Sequence, residues 1–228
     1  MLKKDYILNI LPKYALLPLI LSLVANLVAY YGSTIFFSLL AVDDASRHTL
    51  NLPIDSWFSF DAKWVIVYFG CYLTWVFYYI YVCRDSKETC YKFVTAEVIA
   101  KLICLVVFIC YPTIMADRAD ISAMEPGFWK FSMNYLYSRD LPYNLLPSIH
   151  CLASWICFRG LFMCEKKNLA MKISAFVFAI LVFLSVLYTK QHYFIDIIGG
   201  IAVVEIGIFI SVRLKLYEKI LRKVSKKV

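Results

Sequence analysis

Glycine and proline are scarce, seven of each in 228 residues, and charged side chains make up only 18% of the chain. So little glycine excludes a collagen-like repeat. So little charge excludes a disordered chain and an ordinary soluble domain, in which about 25% of residues are charged. The sequence has no P-loop, no GxGxxG, no CxxC, no internal repeat and no low-complexity segment. Nucleotide-binding loops and paired-cysteine metal sites therefore have no starting point. What fills the chain is apolar: 62% of residues are hydrophobic and mean hydropathy is +0.70. At about 20 residues per bilayer crossing, this length allows at most about eight helices with their connections. The expected class is an all-α, polytopic membrane protein, one domain over residues 1–228, with little room for a separate soluble domain.

Six apolar runs give six expected transmembrane helices in one bundle: Tyr14–Val42, Trp64–Cys83, Phe93–Ala116, Leu152–Cys164, Ile173–Thr189 and Ile197–Val212. The first is long, with no small-residue cleavage site, and is expected to be a retained helix. Lysine and arginine divide unevenly between the two sets of loops that result. Seventeen lie at the N-terminus, in the second loop, in the fourth loop with nearby Arg159, and in the basic tail 213–228, against six (Arg47, Lys63, Arg118, Lys130, Arg139, Lys190) on the other side. Positive charge marks the cytoplasmic side, so both termini are expected there. The net charge of +8 sits at segment ends and in the tail, which suits a membrane and not a nucleic acid. None of the eight cysteines lies in the long outer loops Tyr31–Lys63 and Met115–Pro147, so no disulfide framework is expected.

Chemistry is concentrated at the outer rim. His150 begins the fourth run and His192 lies in the short connection between the fifth and sixth. One such histidine is an ordinary interfacial side chain; two at one level, with partners, suggest a site. Asp196 follows His192 by four residues, so on a helix the carboxylate can hold the imidazole Nδ1–H and leave Nε2 free as nucleophile or base. Lys190 and Arg118 bring positive charge to the same side. Cations beside imidazoles suit a phosphate and not a buried metal. Pro147 suits a first helical turn, and free amide groups there favour an anion. Ser148 then reads equally as a phosphate-binding hydroxyl or as a plain helix cap. Glu97 and Lys101, one turn apart, read as an intrahelical ion pair facing the bundle, or else as a polar relay. Glu205 and Asn26 have no assigned role. The competing class of function is a non-catalytic scaffold or transport through Glu97, Lys101 and Glu205. Transport would put broken helices at mid-membrane, whereas these histidines cluster at one rim.

Leu146-Pro147-Ser148-Ile149-His150 resembles the P-S-G-H motif of the type-2 phosphatidic acid phosphatase superfamily. Ser185 to Asp196 resembles its S-R-x5-H-x3-D motif, and the Arg118 region its K-x6-R-P motif. The motif region runs from about residue 100 to 201. Four positions depart from the pattern: Tyr111 replaces the first-motif Lys, Ala119 its Pro, Ile149 the Gly, and Val186 the third-motif Arg. KQHYFIDIIGG over residues 190–200 is closer to the inositol-phosphorylceramide and sphingolipid synthase branch. The resemblance implies a lipid phosphatase acting on a lipid phosphate or pyrophosphate, with a headgroup transferase as the alternative. It implies His192 as nucleophile forming a phosphohistidine, Asp196 as its orienting carboxylate and His150 as acid and base. Arg118, Lys190 and Ser148 would hold phosphate, with no metal or cofactor. The expected partners are a phosphorylated lipid and the bilayer.

Overall fold

A computed structural model describes residues 11–40 and 43–225. Lys3, Lys4, Lys226, Lys227 and the Val42 end of the first apolar run lie outside the described residues. The fold is all-helical: 75% of the described residues are helical and none forms a strand. In chain order the helices are α1 (Lys13–Leu39), α2 (Val65–Asp85), α3 (Lys87–Cys110), α4 (Phe128–Arg139), α5 (Ile149–Met163), α6 (Leu169–Tyr188), α7 (Phe194–Ile208) and α8 (Leu216–Ser225). A π-helical turn, Phe209–Arg213, continues α7.

Five helices are long and apolar enough to cross a membrane: α1, α2, α3, α6, and α7 with its π turn. The fourth expected run is the 15-residue α5. At 1.5 Å per residue α5 spans about 22 Å, less than the hydrocarbon core of about 30 Å. The third run differs from expectation at both ends. Ser86 caps α3 by accepting from the Thr89 amide at 3.1 Å, so the helix starts before Phe93. It stops at Cys110 rather than Ala116, because Pro112 biases its predecessor away from helix and cannot donate an amide.

α3 is the hub. It packs against α1, α2, α5 and α7 and receives the π turn and α8, while α1 lies mainly along α3 and scarcely meets α2. Glu97 and Lys101 of α3 are buried and paired, as one of the two sequence readings had it. Ser22 of α1 donates to Glu97 Oε2 at 2.7 Å, Tyr79 of α2 donates to Oε1, and Lys101 Nζ donates to Ser22 O at 3.2 Å. A charged pair in an apolar bundle is tolerable when both ends are satisfied in this way. Glu205 of α7 finds Arg159 Nε at 2.9 Å and Trp155 Nε1 at 2.8 Å on α5.

Two connections are tied at one end of the bundle. Asp85 accepts from the amides of Glu165 and Lys166 at 3.1 and 3.5 Å, joining the α2–α3 turn to the α5–α6 turn. At the opposite end the long loops clasp each other. The His48 amide bonds Pro112 O, Ile114 bonds His48 O, and Thr113 Oγ1 accepts from Leu145 N at 2.8 Å. α4, unforeseen in the sequence, lies in this cap. Met133 and Leu136 are buried while Phe128, Phe131 and Tyr135 are exposed.

Candidate active site

The end of α6 and the start of α7 form one device. α6 stops in a Schellman turn, with the Gln191 amide bonded to Val186 O at 2.9 Å and the Lys190 amide to Leu187 O at 3.2 Å. Lys190 takes the left-handed position of that turn, φ 53°, where glycine is the usual choice. The reversal turns Gln191 and His192 inward: both are buried. The first turn of α7 then presents Asp196. Its Oδ2 accepts from the Tyr193 amide at 2.8 Å and stands 3.3 Å from His192 Nδ1. Asp55 of the first outer loop, also buried, accepts from the Phe194 amide at 2.7 Å and fixes the helix start from outside.

α5 approaches the same point from the other side. Ser148 is its N-cap, with Oγ accepting from Cys151 N at 3.3 Å, so the hydroxyl serves the helix and lies buried. The amides of Ile149 and His150, in the first turn, have no intrahelical acceptor. The Ser148 amide donates to Asp196 O at 3.0 Å, which docks the two helix starts on each other. Gly200 permits the close approach: a Cβ there would lie 2.8 Å from Ser148 O and 3.1 Å from Leu152 N. Gly200→Ala is therefore expected to displace α7 from α5 and lower kcat by about 10–100-fold, since misplacements near 1 Å have that effect. Gly70→Ala, with nothing within 4 Å of its Cβ, should be silent; equal kcat for the two variants would remove this role from Gly200.

The docking brings the imidazoles of His150 and His192 to 6.1 Å between ring centroids. Both line a cavity of about 440 Å³. Its walls are mostly aromatic and aliphatic, from α1 (Leu27, Tyr30, Tyr31), α2 (Phe69, Tyr72, Trp75) and the end of α4, with Asn26, Arg139, Asp140, Asn144 and Gln191 as polar members. Asn26 thus gains a place. Tyr68, Tyr72 and Trp75, on one face of α2, surround His150 with centroid distances of 4.5, 6.0 and 5.6 Å.

The two expected phosphate-binding cations stand back from the cavity wall. Arg118 is a brace: its guanidinium donates to Asp140 O at 2.6 Å and to Gln191 Oε1, and stacks 4.1 Å over Tyr137. Burial opposes its charge, pulling its pKa below the ordinary arginine value, while Tyr137 and Asp140 favour the charge. Burial likewise pushes Tyr137 up to about 12. Lys190 is half-buried and not among the lining residues. The cation that does line the cavity is Arg139, exposed at the end of α4. His48 stacks on Tyr111 at 4.2 Å, away from the cavity lining. Sequence reasoning passed over Tyr68, Tyr72, Asp140, Arg139, Gln191 and Asp55. Open to it were the spacing of 68, 72 and 75 on one helix face and the charge and side of Arg139.

No curated protein and no solved structure matches the chain. A family model described as the PAP2 superfamily matches residues 54–210, from the turn that carries Asp55 to the π turn after α7. That stretch is more than half of the chain and contains both histidines, Asp196, Arg118 and Asp140. The chain belongs to the PAP2 superfamily, as its histidine motifs had implied.

Proposed function

We propose that the protein is an integral membrane lipid phosphatase that removes phosphate from a lipid phosphate or pyrophosphate through a phosphohistidine on His192. One observation carries this: His192 Nδ1 stands 3.3 Å from Asp196 Oδ2, with the His150 ring 6.1 Å away on the same cavity wall. Asp196 holds the Nδ1–H of His192, so Nε2 keeps its lone pair and attacks phosphorus. The bond from phosphorus to the lipid oxygen breaks, and that oxygen takes the proton on His150. Water then attacks the phosphohistidine and gives a proton to His150, releasing phosphate and restoring His192. Charge spread over the equatorial oxygens is met by Arg139, by the free amides at the start of α5 and by the positive potential of Arg118 and Lys190. Fixed cations and amides supply what a metal would, so a chelator should leave the rate unchanged.

The substrate reaches the site from the bilayer. The cavity lies between α1 and α2, with Leu27, Tyr31, Phe69 and Trp75 on its walls, and this cleft suits an acyl or isoprenoid chain beside a phosphate at the rim. In this account the chain crosses six times, with α5 as the short fourth span, both termini cytoplasmic and the active site outward. The 17-to-6 division of basic residues supports that orientation.

A second function is favoured by Val186 and Tyr111. Val186 is fully buried where the motif has arginine, and Tyr111 stacks on His48 where it has lysine. Fewer cations suit a phosphodiester with one negative charge better than a monoester with two, and so favour headgroup transfer to a lipid hydroxyl on the same nucleophile.

Purified protein given radiolabelled lipid phosphates, with and without acceptor alcohols, decides between the two. Phosphate release without acceptor supports the phosphatase, acceptor-dependent turnover replaces it with the transferase, and no turnover on any lipid sinks both. Within that assay Arg139→Gln is expected to lower kcat about 10-fold or more. Lys190→Gln, off the cavity wall that Arg139 lines, is expected to cost less than about threefold. The reverse order would make Lys190 the phosphate ligand.

A further inference from the structure

Among the described residues no carboxylate bonds His150 in the way that Asp196 bonds His192. The His150 ring lies between two tyrosines of α2: Nδ1 is 3.4 Å from Tyr68 Oη and Nε2 is 3.3 Å from Tyr72 Oη. Tyr68, buried to 1% exposure, also bonds Asp140 Oδ2, and Tyr30 of α1 donates to Asp140 Oδ1 at 3.0 Å. Asp140 comes from the end of α4, held there by Arg118 through the backbone carbonyl. Tyr68 and His150 are 82 residues apart in sequence, and Tyr68 and Asp140 are 72 apart.

We infer that Tyr68 and Asp140 are positioning residues for His150, a carboxylate–tyrosine–imidazole relay that fixes which ring nitrogen carries the exchangeable proton. The polarity of the hydrogen bonds requires it. A carboxylate has no proton to give, so both tyrosine hydroxyls must donate to Asp140. Tyr30 is consistent, since its oxygen accepts from the Leu141 amide at 3.3 Å while its proton goes to Asp140. Tyr68 has spent its single proton in the same way, so towards His150 it can only accept. Nδ1 therefore carries a hydrogen in every protonation state of the ring. The neutral imidazole has Nε2 bare, facing the Tyr72 hydroxyl at the cavity. The proton that His150 gives and takes is then always the one on Nε2. The imidazolium is stabilised through a tyrosine oxygen made more electron-rich by the Asp140 carboxylate. Tyr72 holds the place that the leaving oxygen of the substrate takes.

This inference rests on the acid–base role proposed for His150, and leaving-group dependence tests the two separately. Protonation by His150 matters for an alkyl alkoxide leaving from a lipid phosphate and hardly at all for the acidic p-nitrophenol of p-nitrophenyl phosphate. kcat/KM, which reports the step up to phosphoenzyme formation, would be measured on both substrates for wild type, Tyr68→Phe, Asp140→Asn and His150→Ala. Tyr68→Phe keeps the ring that packs against His150, 4.5 Å between centroids, and Asp140→Asn keeps the backbone contact to Arg118. Both are expected to lose about 10–100-fold on the lipid phosphate and less than about threefold on the aryl phosphate, the pattern of His150→Ala on a smaller scale. Equal losses on the two substrates would mean a merely structural role and overturn the relay, as would full activity on both. If Tyr68→Phe does not fold, Asp140→Asn decides by the same ratio. Loss of the ratio in His150→Ala itself would remove the acid–base role instead. A wild-type protein inert on both substrates would remove the proposed function and the relay with it.

Discussion

His192→Ala is expected to abolish turnover, leaving no rate above background on any lipid phosphate. Within the described site no second side chain can take over. His150 faces the two α2 tyrosines, and Cys151, the nearest thiol in sequence, is fully buried. Asp196→Asn should fall nearly as far. Asp196 accepts at once from the Tyr193 amide and His192; an amide there can offer a donor to Nδ1, which selects the wrong tautomer and occupies the lone pair on Nε2 with a proton. Expression and helicity should not change in either variant. A purified His192→Ala protein with a rate within tenfold of wild type would remove the nucleophile from His192.

Lys101→Met should produce the largest loss of stability. Glu97 is completely buried and Lys101 nearly so, and between them they tie α1 and α2 to the hub helix through Ser22 and Tyr79. Removing one partner leaves a buried carboxylate without its cation, at a cost of about 3–5 kcal/mol unless the carboxylate takes up a proton. For a chain of this size that corresponds to a thermal midpoint lower by roughly 6–20 °C. The double variant Glu97→Gln/Lys101→Met carries no stranded charge and should regain most of the loss. Neither residue lines the cavity, so kcat below the transition should stay near wild type. A double variant no more stable than the single one would show that the pair contributes packing and not charge balance.

The parts of this fold legible in the sequence are those encoded within one or two helical turns. The spacing of His192 and Asp196, the serine before the fourth apolar run and the Glu97–Lys101 pair all correspond to contacts in the structure. So do the apolar runs, with ends shifted where Pro112 and Ser86 punctuate the chain. α4 was missed because its apolar residues are spread around the helix: Met133 and Leu136 face the bundle while Phe128, Phe131 and Tyr135 are exposed. An aromatic-rich stretch with that pattern reads equally well as loop. Asp140, Tyr68 and Asp55 were illegible for a different reason. Their partners lie 72, 82 and 139 residues away, and no local period records contacts that only the packing of α2, α4 and α5, and of the first outer loop on α7, creates. Arg118 and Lys190 show the reverse limit. Charge type and side were readable, but the sequence did not reveal that one guanidinium is engaged by Asp140 O and Gln191, or that Lys190 occupies the left-handed position of a helix stop.

The central claim is that phosphate passes through a covalent bond to His192, and it can be tested by trapping that bond. The purified protein would be mixed with a radiolabelled lipid phosphate, quenched in alkali within a turnover and digested, and the labelled peptide sequenced by mass spectrometry. Phosphohistidine survives alkali. The expected result is one acid-labile, alkali-stable phosphoryl group on His192, absent from His192→Ala and accumulating in a variant slowed at the second step. Label on His150, or steady turnover with no trapped phosphoprotein in any variant, would contradict the account.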